Sequence, residues 1–302
     1  MRSWIILLAL AAASCAGAET SCPPESGIAL QVLGSGGPIA DDARASTAYL
    51  VWVDGQSKVM IDVGSGSFLR FGEAGSSFSE LDFVGLSHFH TDHSADFVAL
   101  LKSGNFSGRK RALTVAGPSG DGPFPGLDAY LQRLIGSGGA YAYLSGYLDG
   151  SAGLAKLNAI EVDGSDVKTV FGGLDEEMQI DAVHVPHGIV PALAFRVTVG
   201  DTRIVFSSDQ NGSDPDYVSF VNNADALVMH MVVPEDATGV ATSLHARPST
   251  IGVIARQASP QVLVLSHFMA RSLKDKDASI EIVRKAFDGR IVAAEDLTCI
   301  VL

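Results

Sequence analysis

The stretch Ser87-His88-Phe89-His90-Thr91-Asp92-His93 organises this chain. It holds three of the eight histidines and one carboxylate within six residues. The preceding segment, Leu81-Asp82-Phe83-Val84-Gly85-Leu86, has the apolar bias of a buried strand. The following segment, Ala95 to Lys102, has helical spacing. The cluster is therefore expected on a strand-to-helix loop, where a rigid scaffold often holds functional side chains.

Neutral imidazole and carboxylate are good ligands for zinc and similar divalent ions. On a tight loop His88 and His90 can point one way while Asp92 and His93 point another. That arrangement suits two metals about 3.5–4 Å apart. A solvated polar loop is the plain alternative. A lone histidine would favour it, but three so close together speak against it.

His-x-His-x-Asp-His after a buried strand resembles the metallo-β-lactamase superfamily. The resemblance implies an α/β fold, a four-layered αβ/βα sandwich with the site where strand-end loops converge. Further motifs follow in order. Leu33-Gly34-Ser35-Gly36-Gly37, then Arg44 and Ser46, resembles the opening of the ribonuclease Z and arylsulfatase-like branch. Gly117-Pro118-Ser119-Gly120 matches the same branch. His184-Val185-Pro186-His187-Gly188 resembles the superfamily's third motif. Within it His187 is taken as the ligand and His184 as a partly buried neighbour. Ser207-Ser208-Asp209 matches the step whose carboxylate bridges both metals. Leu265-Ser266-His267 matches the last ligand motif.

The resemblance thus implies a first metal held by His88, His90 and His187, a second by Asp92, His93 and His267, and a bridge at Asp209. Two divalent ions are expected, zinc fitting the donor set best, with manganese or iron as alternatives. Asp62, at a strand end before Gly64, resembles the superfamily's acid beneath the metal loop, with a turn-capping Asp as the plain alternative. Asp92 is expected to orient the nucleophile or accept its proton, and His245 to protonate the leaving group.

One departure matters. Where ribonuclease Z has His-Glu-Ala-Thr, this chain has His230 followed by Met231. A carboxylate partner for His245 is missing.

The N-terminus reads as a targeting segment over residues 1–18. Arg2 is a positive start, Trp4 to Ala13 is continuously apolar, and Ala16-Gly17-Ala18 is a small-x-small cleavage site. The mature chain would begin at Glu19, exported to a periplasm or the medium. Ala12-Ala13-Ser14-Cys15 partly resembles a lipoprotein box, the weaker alternative. The apolar run is short for a membrane span, so no transmembrane helix is expected in the mature chain. Residues 19–27 read as an extended lead-in, and 28–302 as the hydrolase domain. Cys22 and Cys299 would be the only cysteines left, free to pair in an oxidising compartment or to stay as thiols.

With 47% hydrophobic residues over 302 positions, the chain can bury a full core. Its formal net charge is −13, and no basic run exceeds Arg109-Lys110-Arg111. Such a surface weighs against nucleic acid as a partner, and the resemblance to the ribonuclease Z and arylsulfatase-like branch, together with export, implies a small-molecule ester. No basic Gly/Pro-rich arm stands in residues 136–156. Tyr141, Tyr143 and Tyr147 there either line a substrate mouth or pack on the body. Oligomeric state stays open, a homodimer being the commonest assembly.

The expectation is an exported dinuclear metal-dependent hydrolase using a metal-bridging hydroxide on phosphodiester, aryl sulfate or related small esters. The alternatives are a ribonuclease Z-type tRNA 3′-end endonuclease, a β-lactam or lactone hydrolase, and a metal-binding module without catalysis.

Overall fold

The computed structural model describes residues 22–173 and 176–302. The targeting segment and Cys15 lie outside them. In chain order the first strands are β1 (Ile28–Gly34), β2 (Ala48–Val53), β3 (Gln56–Ile61), β4 (Phe83–Gly85), β5 (Leu113–Pro118), β6 (Leu157–Val162) and β7 (Lys168–Phe171). The rest are β8 (Met178–His187), β9 (Val190–Val199), β10 (Thr202–Phe206), β11 (Ala226–His230), β12 (Val262–Ser266), β13 (Arg290–Ala293) and β14 (Cys299–Val301).

They form two seven-stranded sheets, ordered β14-β1-β2-β3-β4-β5-β6 and β13-β12-β11-β10-β9-β8-β7. Side chains alternate across each strand. Leu30, Val32, Tyr49, Val51, Val59 and Ile61 face Phe195, Val197, Ile204, Phe206, Val228 and Val264 in a core between the sheets. Ala29, Leu33, Leu50, Trp52 and Met60 point the other way, onto Phe71, Phe97, Leu127 and Leu131 of the outer helices. The second sheet is covered in the same way by Phe220, Ile251, Ile254 and Val283. Both faces of each sheet are buried, which is why the inner strands read as continuous apolar runs. The layers are helix, sheet, sheet, helix, as the resemblance implies.

One strand lies elsewhere than its sequence order suggests. By sequence order Thr298 to Leu302 would follow Ile291 to Ala294 into the second sheet. Instead β14 crosses over and pairs antiparallel with β1, Gln31 opposite Cys299. The crossover brings Cys299 to Cys22. The two form a disulfide across a sequence separation of 277, with 5.8 Å between their Cα atoms.

Strands β3 to β6 run parallel, as do β10 to β13. Ligands of parallel sheets gather beyond the carboxyl ends of the strands. Asp62 follows β3, the Ser87–His93 loop follows β4, Asp209 follows β10, and His267 follows β12. His187 ends β8 at the turn into β9. Three of the strand-end residues are left-handed without being glycine: Asp62 (φ 58°), Ser208 (φ 57°) and His267 (φ 56°). Such residues cost energy and collect at functional sites.

The segment after β3 seats the Ser87–His93 loop. Val63 donates to the His93 carbonyl, Asp96 to the Val63 carbonyl, and Gly64 to the Thr47 carbonyl. A Cβ at Gly64 would collide with the Asp92 carbonyl and lie 2.8 Å from Ser46 Cβ. Gly64→Ala is expected to cost about 1–3 kcal/mol by overpacking and to displace the short helix Thr91–Ser94. Urea unfolding at matched protein concentration checks it. An unchanged midpoint would mean that the loop has room to spare.

Among the described residues, no helix is long and apolar enough to cross a membrane.

Candidate active site

The Ser87–His93 loop leaves β4 extended and closes into the helix Thr91–Ser94, with His90 just before its first turn. The turn gathers the rings rather than parting them: those of His88 and His93 lie 4.0 Å apart, and those of His88 and His90 lie 4.6 Å apart. His88, His90, His187 and Asp209 each offer one ligand atom, all within 4.8 Å of one another, and so do Asp92, His93 and His267. Asp209 also joins His230 and His267 in a third such group. The seven residues singled out from the sequence therefore converge. His184 stays outside, 3.0 Å from the Val162 carbonyl.

Asp209 stands at the centre. Its Oδ2 lies 3.6 Å from both His93 Nε2 and His187 Nε2, and its Oδ1 lies 3.4 Å from His267 Nε2. Asp92 Oδ2 lies 3.2 Å from His267 Nε2 and 3.7 Å from His93 Nε2. His88 Nε2 and His90 Nδ1 are 2.9 Å apart.

Several of these rings are held from behind. His93 Nδ1 donates to Asp62 Oδ2 at 2.7 Å, and Asp62 also accepts from the Ser87 amide at 2.7 Å and the Ser87 hydroxyl at 2.8 Å. His187 Nδ1 donates to the Leu244 carbonyl at 2.9 Å. That bond directs the other nitrogen, Nε2, inward, where it is buried without a hydrogen-bond partner, as is His245 Nδ1. Buried polar atoms are normally paired. Imidazole nitrogens converging unpaired beside two carboxylates are a donor set that suits divalent metal. The His/Asp clusters are compatible with a dinuclear metal site.

The electrostatics point the same way. Burial works against charge on His93, yet the carboxylates of Asp62, Asp92 and Asp209 outweigh it and hold His93 well above the usual histidine range. Burial opposes ionisation of Asp209 too, but His267 and His93 keep it well below the carboxylate range. Burial pushes His88 far down.

His230 is the functional residue the sequence reading passed over. Its Nδ1 donates to Asp209 Oδ1 at 2.7 Å, and the Tyr49 hydroxyl donates to its Nε2 at 2.9 Å. With both nitrogens used, His230 orients Asp209. The signal was present: a buried strand ending in histidine, register-paired at Ser266, next to His267. Met231 is fully buried in the apolar layer outside the second sheet.

A cavity of about 470 Å³ opens over the cluster, lined by His90, Asp92, His187, Asp209, His245 and His267, with Arg271 among its walls. His245 therefore reaches the site. Its Nδ1 lies 3.8 Å from Asp209 Oδ1, and burial pushes it down to about 3, against the pull of Asp209. The three loop tyrosines do not line this cavity. Tyr147 is buried, donating to the Leu101 carbonyl at 2.8 Å, while Tyr141 and Tyr143 stand at the surface.

Asp62→Asn tests the support from behind. It leaves His93 without its anionic partner, and metal affinity is expected to fall about 10–100-fold. Competition with a chromogenic chelator reads that directly. An unchanged affinity would reduce Asp62 to a turn residue.

The sequence pattern of the metallo-beta-lactamase superfamily matches residues 41–244. The chain belongs to that superfamily, and it is a metal-dependent hydrolase of it. A ribonuclease Z of Haloferax volcanii is 25% identical over 304 residues, covering 87% of this chain and 92% of its own length. A ribonuclease Z of Mycobacterium marinum is 28% identical, covering 89% of this chain and 97% of its own. Among solved structures, human tRNase Z short form superposes with a TM-score of 0.70 at 19% identity, over 90% of this chain and 98% of that one. The metallo-beta-lactamase fold protein YhfI of Bacillus subtilis gives 0.69 at 22%, over the same shares.

These relatives correct the expectation that nucleic acid is an unsuitable partner. It rested on net charge, a sum over the whole surface. Screening confines a charge's influence to about 10 Å, so the groups at one cavity decide what it admits. Here that cavity carries Arg271 and several imidazoles beside the carboxylates of Asp92 and Asp209.

Proposed function

We propose that the mature chain is an exported phosphodiesterase of ribonuclease Z type, cleaving RNA with two zinc ions. The observation that carries it is the pair of His/Asp sets sharing the buried carboxylate Asp209. RNA is favoured over other esters by the ribonuclease Z relatives spanning nearly the whole chain. Export is supported by the apolar, small-residue-terminated segment at residues 1–18 and by the Cys22–Cys299 disulfide, which an oxidising compartment preserves.

His88, His90 and His187 would hold one ion and Asp92, His93 and His267 the other, with Asp209 between. What such ions supply when bound is Lewis acidity toward water and a phosphoryl oxygen. The chain's own groups do the rest. Asp209, held by His230 and through it by Tyr49, would supply the negative charge that offsets the repulsion between two cations. Asp92, which lines the cavity, would orient the nucleophile and take its proton. Arg271, whose Nε donates to the Val232 carbonyl at 3.1 Å, leaves its remaining N–H groups for a phosphate. His245, which lines the same cavity and is kept neutral by burial, would donate an N–H hydrogen bond to the leaving oxygen.

The test uses protein purified without added metal, its metal content measured, on precursor tRNA, bis-p-nitrophenyl phosphate, p-nitrophenyl sulfate and a chromogenic cephalosporin. Two metals per chain with chelator-sensitive cleavage of the tRNA is the expected result. Cleavage of the small phosphodiester alone would overturn the RNA assignment. Turnover of only the sulfate or the cephalosporin would overturn phosphodiester chemistry. Less than one metal and no turnover would leave a binding module.

A further inference from the structure

A second cavity, of about 280 Å³, opens beside the metal cavity and shares Phe89 and His90 with it. The walls of this slot are apolar and aromatic: Phe89, Tyr130, Phe124, Pro125 and Val190, with Arg133 at the surface. No carboxylate lines it.

The slot is built onto the metal loop. The rings of Phe89 and Tyr130 stack with centroids 4.3 Å apart and an interplanar angle of 8°. The Tyr130 hydroxyl donates to the Ser94 carbonyl, at the end of the helix that carries Asp92 and His93, at 3.2 Å. Behind Phe89, Gly117 leaves only enough space for the ring, since a Cβ there would lie 3.3 Å from Phe89 Cζ. Phe89 sits between the two histidines His88 and His90, so any group seated in the slot adjoins a group at the metals.

We infer that this slot seats the base of the nucleotide next to the scissile phosphate. The inference rests on the phosphodiesterase reading and names its substrate more closely. A planar, apolar-faced ring fits a slot of this size and lining, and an aromatic wall favours stacking over hydrogen-bond readout. Arg133 at the mouth adds a cation against the base face or a flanking phosphate. With so few polar groups in the walls, the slot reads the presence of a base and tolerates its identity.

The metal-loaded protein is titrated by calorimetry with adenosine 5′-monophosphate, uridine 5′-monophosphate and ribose 5-phosphate. Both nucleotides are expected to bind about tenfold or more tightly than ribose 5-phosphate. Phe124→Ala and Tyr130→Ala should bring that preference within about threefold, with metal content measured alongside. Tyr130→Ala also breaks the bond to Ser94. Phe124 makes no side-chain hydrogen bond, so its variant decides alone if the other fails to fold. Equal affinity for all three ligands, no binding of any, or an undiminished preference in Phe124→Ala would overturn the slot. A nucleotide preference without turnover of any phosphodiester would keep the slot and overturn the hydrolytic reading. Turnover without a nucleotide preference would do the reverse.

Discussion

Asp209→Ala is expected to reduce bound metal from two ions per chain to one or none and to lower turnover at least about 10³-fold. Asp209 is 2% exposed, and its two oxygens face His93, His187, His230 and His267. Alanine would leave those imidazoles converging on an empty space with no anion among them. Two divalent cations a few ångströms apart would then repel each other in a poorly screened interior. Asp209→Asn separates shape from charge: the carboxamide can still accept from His230, but it cannot neutralise the ions. The two variants are expected to lose metal alike. Atomic emission on dialysed protein and chelator-sensitive turnover read both effects. Two retained ions and more than a tenth of the wild-type rate in either variant would remove Asp209 from the bridging role.

Cys299→Ser is expected to cost about 2–5 kcal/mol of stability. The disulfide closes nearly the whole chain, at a sequence separation of 277, and the cost of opening a loop rises with its length in the chain-entropy account. It also secures a weak point. β14 has three residues and pairs only with β1, at the edge of its sheet. Urea unfolding of the wild type with and without reductant, beside Cys299→Ser, gives the shift in midpoint. Reduced wild type and variant should coincide well below the oxidised protein. Coincidence of all three curves would show that β14 holds without the bond.

Much of the candidate site was legible because its donor side chains come in short runs. His88, His90, Asp92 and His93 share one loop, and the Asp209 and His267 motifs each end an apolar strand. A strand that is buried on both faces and ends in histidine or aspartate leaves little choice about where that side chain emerges. Asp62 was legible as a carboxylate at a strand end, though a turn cap would have looked the same. His230 was harder. Its strand end marks it as a side chain that emerges at the site, but its partners Tyr49 and Asp209 are 181 and 21 residues away in sequence, and only the fold brings them to it.

Net charge misled for a related reason. Composition sums over a surface, and a cavity samples only the groups within a Debye length.

What the sequence by itself determined was the set of donors, the alternation of strands and helices, and the superfamily. These are local: they follow from the chemistry of single side chains and from periods of two and 3.6 residues. What only the tertiary structure decided was which sheet takes β14, whether Cys22 meets Cys299, how His230 secures Asp209, and that an aromatic slot opens beside His90. Each depends on the crossing of distant segments. That is set by how two sheets close over a common core, and no short stretch of sequence encodes it.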